Sequence, residues 1–245
     1  MSSITKTPPP AVHYPDSDGQ PMADNTLQFE WIVTLQGNID LMFRDQKDVF
    51  VAGDHLIYPV EGNADVRQAP DVYVAFGRPK GHWGSYKVFE EDHVFPQVIF
   101  EVWSPGNRFT QMEDKRDFYA RYGAEEYYIV YPEFPAHLDG WLSKGEKLER
   151  VENMNGHFSP RLGIRFELQR GNIAVYHPDG RRFLSYVDLG ALQHETQTRA
   201  ETAEQHAEEE RQRAEQERLR AEEARQKAER LAARLRELGI DPDAV

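Results

Sequence analysis

Residues 97–104 read QVIFEVWS, an apolar run that a single acid, Glu101, interrupts. A short apolar run of this kind is typical of a buried strand. A carboxylate in the middle of such a strand is costly unless it is paired, protonated or bound to a metal ion. On this local pattern alone, Glu101 belongs to a functional site, reaches a solvent face or forms a structural ion pair. The segments around Glu101 help to decide between these three interpretations.

The neighbouring segments predict a mixed α/β domain. Upstream, residues 71–76 (DVYVAF) form a second apolar strand, and residues 49–60 contain a third strand-like run. Downstream, residues 107–123 return to helical spacing, and residues 125–131 predict another strand. Shorter strand-like runs follow. We therefore take residues 25–185 as one domain, a mixed β-sheet flanked by helices.

The two ends of the chain differ from this domain. Residues 1–24 hold five prolines among polar residues, which predicts a disordered segment. Asn25 or Thr26 then caps the first helix. Residues 186–245 are predicted to form one long charged helix, most regular over residues 189–238, where Glu and Arg recur three residues apart. Its alanine and leucine heptads suit a weak coiled coil and a solvated single helix equally well.

Composition excludes several classes of protein. The chain has 245 residues, with 29 Lys and Arg against 42 Asp and Glu, and its formal charge is −13. This acidic balance argues against a general nucleic-acid coat protein, although a nuclease can carry a local basic groove. The absence of cysteine excludes disulfides, thiolate zinc sites and a cysteine nucleophile. No apolar stretch suits a membrane span or a signal peptide, so we expect a soluble cytosolic protein with no membrane partner.

Two further residues are candidates to share a site with Glu101. Asp71 opens the strand at residues 71–76, and Lys115 lies on the apolar stripe of the helix at residues 107–123. Taken singly, Asp71 could be an ordinary turn residue before a strand. Lys115 could be a surface lysine whose carbon chain lies along apolar neighbours while its ammonium reaches solvent. Taken together, two carboxylates on strands can hold a hard divalent cation such as Mg²⁺, and a lysine can orient water or offset phosphoryl charge. The set points to phosphodiester hydrolysis.

Three motifs resemble the Uma-type restriction endonuclease family, which belongs to the PD-(D/E)XK nuclease superfamily. They are A-P-D-V-Y-V around Asp71, F-E-V-W-S-P-G-N around Glu101, and K-R-D-F-Y-A-R-Y-G-A-E-E-Y-Y-I-V from Lys115 onward. The resemblance covers about residues 25–180. It implies a restriction-endonuclease-like core in which Asp71 and Glu101 are metal ligands and the backbone carbonyl of Val102 is a third ligand.

The resemblance also assigns the remaining roles. The superfamily pattern places a lysine two residues after the second acid, where this chain has Trp103, so the role passes to Lys115 on the following helix. Asp54 lies in a segment that also resembles the family, and it is an additional candidate ligand near the metal. Its position after Gly53 suits a simple turn residue equally well.

We therefore predict a Mg²⁺- or Mn²⁺-dependent endodeoxyribonuclease of the bacterial cytoplasm, with DNA of undetermined strand form as its partner. Asp71, Glu101 and Lys115 are its predicted catalytic residues. The alternative is a catalytically inactive nuclease-like binding module that recruits partners through its C-terminal coiled-coil helix. In either case, residues 189–238 are the segment we expect to form a homodimer or to bind another protein.

Overall fold

The computed structural model describes residues 12–145 and 147–237. Met1–Tyr186 form one compact unit and Val187–Val245 form a second. The elements run in the order α1 (Thr26–Met42), β1 (Val49–Ala52), β2 (Ile57–Tyr58), β3 (Val72–Phe76), β4 (Tyr86–Lys87), β5 (Val98–Val102), α2 (Phe109–Tyr122), β6 (Glu126–Tyr131), β7 (His137–Lys144), β8 (Lys147–Arg150), β9 (Arg165–Gln169), β10 (Asn172–Tyr176) and α3 (Tyr186–Glu237), with a 3₁₀ turn at Val88–Glu90.

The main sheet has six strands in the order β1-β3-β5-β6-β7-β8. β5 and β6 pair in parallel, with α2 as the connection between them, and the other neighbours are antiparallel. Two small sheets complete the first unit, a parallel pair of β2 with β4 and an antiparallel pair of β9 with β10. The predicted mixed α/β fold, a mixed sheet flanked by helices and followed by a long helix, is confirmed.

The sheet is buried on both faces, which explains why its central strands are apolar along their whole length. On one face, Val72 and Phe100 pack against Leu35 of α1 and against the β9–β10 pair. On the other face, Ile99 packs with Tyr119 of α2 and with the β2–β4 pair. Successive residues of β3 and β5 therefore alternate between two cores, and a polar residue in these strands has to find its partner inside the protein.

The N-terminal segment lies along the first unit. Residues 1–11 of the predicted disordered segment lie outside the described residues, whereas residues 12–24 form neither helix nor strand but make specific contacts. The ring of Tyr14 packs edge-on against Tyr58 at 5.1 Å between centroids, and the Tyr58 hydroxyl donates to the carbonyl of Pro15 at 2.7 Å. Disorder was predicted because the segment is polar and proline-rich, but Tyr14 supplies an aromatic anchor.

The second unit contains the rest of α3, a helix of 52 residues with no buried side chain. Its charged residues pair along the helix surface, as in Glu215 with Arg218 at 2.8 Å and Glu195 with Arg199 at 2.6 Å. The predicted helix over residues 189–238 is present as far as Glu237, and Leu238 lies outside the described residues. Coiled-coil pairing stays a prediction. In the described part of the chain, no helix combines the length and the hydrophobicity of a membrane span.

Candidate active site

The register of the sheet brings Asp71 and Glu101 together. In the antiparallel pair of β3 with β5, Val72 lies opposite Phe100. One step further along the same register sets Asp71 opposite Glu101, and directly opposed residues share a face, with Cβ atoms about 4.5–5.5 Å apart. The Asp71 carboxylate also accepts the backbone N–H of Val102 at 2.6 Å, which holds it at the end of β5.

Glu101 is held from α2 by two side chains. The Lys115 ammonium donates to Glu101 Oε2 at 2.7 Å, and the Tyr119 hydroxyl donates to Glu101 Oε1 at 2.7 Å. Lysine and tyrosine four residues apart lie on one face of a helix, which explains the K-x-x-x-Y spacing of the motif. Glu101 is 1% exposed and Lys115 is 22% exposed. The strand acid is therefore ion-paired, and its partner lies at the boundary with an open cleft.

Electrostatics around the pair are dominated by an excess of carboxylate. Burial raises the pKa of Asp71 to about 8, and the facing Glu101 carboxylate adds to the rise, against the opposing effects of Lys115 and the Val102 N–H. Burial alone would lower the pKa of Lys115, but the two carboxylates outweigh it and hold that pKa above its ordinary value. The two carboxyl groups, Asp71 and Glu101, thus have only the Lys115 ammonium beside them. A cation that binds here would be stabilised by the remaining negative charge.

The cleft beside this cluster has a volume of about 550 Å³. Its polar lining includes Gln28 of α1, which lies next to the end of β5. The charged residues of its lining are five aspartates and one lysine: Asp18, Asp24, Asp54, Asp71, Asp114 and Lys115. The cleft is therefore strongly acidic, and an anionic substrate can enter it only if a cation offsets part of that charge.

Asp54 lies at the rim of the cleft. Its backbone is in the left-handed region at φ 52°, and its N–H donates to the carbonyl of Pro70 at 3.1 Å. The preceding Gly53 permits this approach, because a Cβ there would lie 2.5 Å from the Asp71 carbonyl oxygen. Burial and the nearby Asp18 raise the pKa of the Asp54 carboxyl. Asp54 is thus a turn residue, and the turn brings it to the rim; its role as a ligand stays a prediction.

The carbonyl of Val102 already has one hydrogen-bond partner. Gln28 Nε2 donates to it at 2.8 Å, and Gln28 Oε1 accepts the backbone N–H of Asp24 at 2.7 Å. Gln28 is 5% exposed, so its side chain joins α1, the N-terminal segment and the end of β5 inside the protein. Gln28 is not among the residues predicted from the sequence. The available signal was its position four residues before Ile32, on the buried stripe of α1 that continues through Leu35.

The S-P-G-N part of the second motif builds the turn between β5 and α2. Ser104 is fully buried, its backbone N–H donates to Asn107 Oδ1 at 2.8 Å, and its hydroxyl donates to the Asp24 carboxylate. A Cβ at Gly106 would lie 2.5 Å from the same carboxylate. These residues fix the direction in which the chain leaves the sheet, and so they set where α2 presents Lys115.

The donor set fits a hard divalent cation. Carboxylate and carbonyl oxygens are the ligands that Mg²⁺ and Mn²⁺ prefer, and Asp71, Glu101 and the Val102 carbonyl supply them at one strand end. Within residues 12–145 and 147–237, no group of three or more histidine or acidic side chains is arranged to hold a metal ion. Any cation here would therefore be bound by two side chains with main-chain or water ligands, as is common for Mg²⁺.

Comparisons with known proteins bear on the family of the chain. One solved structure that resembles the chain is the crystal structure of a putative nuclease belonging to DUF820 from Anabaena variabilis, at 11% identity and a TM-score of 0.43, covering 58% of this chain and 74% of that chain. A search of curated proteins gives no match. The family model Uma2, described as "Putative restriction endonuclease", matches residues 8–206. Since that match includes the whole α/β core with Asp71, Glu101 and Lys115, the chain belongs to the Uma2 family.

Proposed function

We propose that the protein is a metal-dependent endonuclease that hydrolyses phosphodiester bonds in DNA. The observation that carries the proposal is the buried Glu101, held by Lys115 and Tyr119 and set opposite Asp71 beside an open cleft. The family description supports a nuclease. Metal dependence, the choice of DNA and the roles of the individual residues are our inference from the chemistry of the site.

Stability alone is a poor explanation for this cluster. A buried ion pair usually adds little net stability, because desolvation of the charges offsets their attraction. Here a second acid, Asp71, lies against the pair, and its pKa of about 8 shows that folding disfavours its ionised form. Groups with perturbed pKa values that line a cleft are typical of active sites.

The roles of the side chains follow from their contacts. Asp71, Glu101 and the carbonyl of Val102 would hold Mg²⁺ or Mn²⁺, with Asp54 as a further candidate at the rim. The bound cation would polarise the phosphate and lower the pKa of a bound water. Lys115 stays protonated because of its raised pKa. It therefore acts by donating hydrogen bonds to water or to phosphate oxygens and by offsetting their charge, and a role as general base is disfavoured.

A binding module without catalytic activity is the second candidate, and α3 favours it. That helix has 52 residues, buries none of them and has no evident part in phosphodiester chemistry. Under either function, we propose that residues 189–238 pair two copies or bind another protein. Pairing would suit an endonuclease, since cutting both strands of a duplex usually needs two active sites.

Nicking of supercoiled plasmid by the purified protein tests the proposal. The assay compares wild type with Glu101→Ala, purified identically, in Mg²⁺, Mn²⁺ or EDTA, and a parallel series uses RNA. We expect nicking that needs the metal and disappears in the variant. Equal nicking in both proteins would indicate a contaminant. Absence of cleavage on every substrate would favour the binding module.

A further inference from the structure

A second cavity lies on the other flank of α2 from the cleft. It has a volume of about 270 Å³ and lies between the first two turns of α2 and strands β6, β7 and β8. Phe109, Tyr131 and Trp141 provide aromatic walls, and Arg116 and Arg150 provide positive charge. We call this cavity the aromatic slot.

Of the aromatic residues that line the slot, Phe109 is exposed, Tyr131 and Trp141 are half-buried, and Tyr127 is buried. Phe109 is 68% exposed, although its ring packs at a tilt of 31° against Trp103 with 4.7 Å between centroids. The Arg116 guanidinium lies 5.8 Å from the centroid of the Trp141 ring. An exposed aromatic ring beside half-buried rings at an open cavity, with a guanidinium over one of them, suits the binding of a flat ring.

The lining of the slot suits a nucleobase. Every base has a π-face that stacks on aromatic side chains, regardless of its sequence. The edge of a base carries donors and acceptors, and the slot offers both kinds of partner at its rim in Arg150, Asp139 and Glu113. The Asp139 carboxylate already pairs with Arg150 and His137, so these groups are held in place.

The slot and the cleft are adjacent. Met112 lines both cavities. From the same two turns of α2, Lys115 faces the cleft while Phe109 and Arg116 face the slot. A strand that places a phosphate beside Lys115 therefore runs close to the slot, because both cavities lie along the first two turns of α2.

The distribution of charge favours entry from the slot side. A groove continues from the slot along α2, and Arg116 lines both of them. The cations of the slot and groove are Arg116, Arg121, Lys147 and Arg150, and their acids are Glu113, Asp117 and Asp139. The cleft has five aspartates and one lysine. In a chain of formal charge −13, this flank of α2 therefore repels a polyanion less than the cleft does.

We propose that the aromatic slot binds an unstacked base of the nucleic-acid strand whose phosphate lies in the cleft, so the substrate is single-stranded or locally unpaired. The inference rests on the proposed function, because the cleft sets where the phosphate lies. In a duplex, every base is stacked and paired, and opening one step costs free energy that a single strand does not spend.

The test is fluorescence anisotropy in Ca²⁺, a divalent cation that takes oxygen ligands and can offset the charge of the cleft, and a gel checks that the labelled oligomer stays intact. The two probes are a labelled thymidine oligomer of about 12 nucleotides, within the usual site size for single strands, and an abasic sugar-phosphate oligomer of the same length and charge. The variants are Phe109→Ala and Trp141→Leu. The matched control is Phe158→Ala, which removes a 58% exposed phenylalanine that pairs with Arg165 of β9 and does not line the slot. Circular dichroism checks that each variant folds.

We expect the thymidine oligomer to bind about fivefold or more tightly than the abasic oligomer at the same salt concentration. Phe109→Ala and Trp141→Leu should each remove most of that difference, and Phe158→Ala should retain it. Equal affinity of wild type for the two probes would overturn the inference. So would equal effects of Phe109→Ala and Phe158→Ala.

The anisotropy experiment and the nuclease assay can fail independently of each other. Metal-dependent cleavage with no preference for bases over the abasic oligomer would sustain the proposed function and reject the slot. Base-dependent binding that Phe109→Ala removes, in a protein that cleaves nothing, would sustain the slot and reject catalysis.

Discussion

At the scale of single residues, the site is defined by a shortage of positive charge. Asp71 and Glu101 face each other across two strands, and Lys115 is the ammonium that they share. A pKa of about 8 for Asp71 means that this carboxyl is mostly protonated at neutral pH when no cation is bound. A divalent cation therefore competes with a proton for Asp71, and the competition can be measured.

Cation binding should release a proton. Because the pKa of Asp71 is raised to about 8, binding of Mn²⁺ at pH 7 should release close to one proton per site. Affinity should rise by up to about tenfold per pH unit from pH 6 towards pH 8, and then level off once Asp71 is ionised. Calorimetry in two buffers of different ionisation enthalpy measures the proton release. In Asp71→Asn both the release and the pH dependence should disappear, and an unchanged pH dependence in that variant would show that Asp71 is not the titrating ligand.

The sequence indicated Asp71, Glu101 and Lys115 because each interrupts a pattern: two acids in or beside apolar strands and a lysine on an apolar stripe. Gln28 gave a weaker signal, because an uncharged polar residue on a helix stripe is common. Its importance depends on Val102, which is 74 residues away in the chain. A contact between such distant residues depends on how α1 crosses the sheet, and local periodicity does not contain that information.

At the scale of elements, α1 and the end of β5 are joined through Gln28. Replacing Gln28 by Ala should lower the free energy of unfolding by about 1–3 kcal/mol, since the Val102 carbonyl and the Asp24 N–H lose their buried partner. Chemical denaturation measures the change. Gln36→Ala on the same helix is the matched control, because Gln36 is only partly buried, and it should change stability by less than about 0.5 kcal/mol. Equal effects of the two substitutions would show that the Gln28 bridge adds no specific stability.

The long helix should be dispensable for the stability of the first unit. α3 buries none of its residues, whereas the chain before it is fixed by Asn38, whose side chain bonds both backbone groups of Leu184. A chain truncated after Tyr186 should unfold within about 2 °C of the full-length protein. Differential scanning calorimetry makes the comparison, and sedimentation of the two proteins shows whether α3 pairs. A loss of about 10 °C on truncation would mean that α3 stabilises the first unit.

The elements could be predicted from the sequence more readily than their pairing. The strand-like run at residues 49–60 is divided in the structure into β1 and β2, which belong to different sheets. The division occurs at Gly53 and Asp54, where the left-handed backbone of Asp54 turns the chain. Apolar patterning predicts that a strand is present, but the partner of that strand depends on contacts between distant segments, as for β2 with β4.

At the scale of the whole molecule, the two flanks of α2 differ in charge. The cleft is lined by five aspartates and one lysine, while the slot and groove across α2 have four cations and three acids. A chain of formal charge −13 repels nucleic acid in general. Under the proposed function, binding of nucleic acid would therefore depend on the α2 flank and on a cation in the cleft.

We propose above that Asp71, Glu101 and Lys115 form one phosphodiester-cleaving site. Its most direct test is the single-turnover cleavage rate in saturating Mn²⁺ for wild type, Asp71→Asn, Glu101→Gln, Lys115→Met and the control Asp114→Asn, which alters an exposed acid of the same cleft. We expect each of the first three variants to lose about 100-fold or more in rate, and Asp114→Asn to stay within about threefold of wild type. Cleavage by Glu101→Gln at the wild-type rate would contradict the claim.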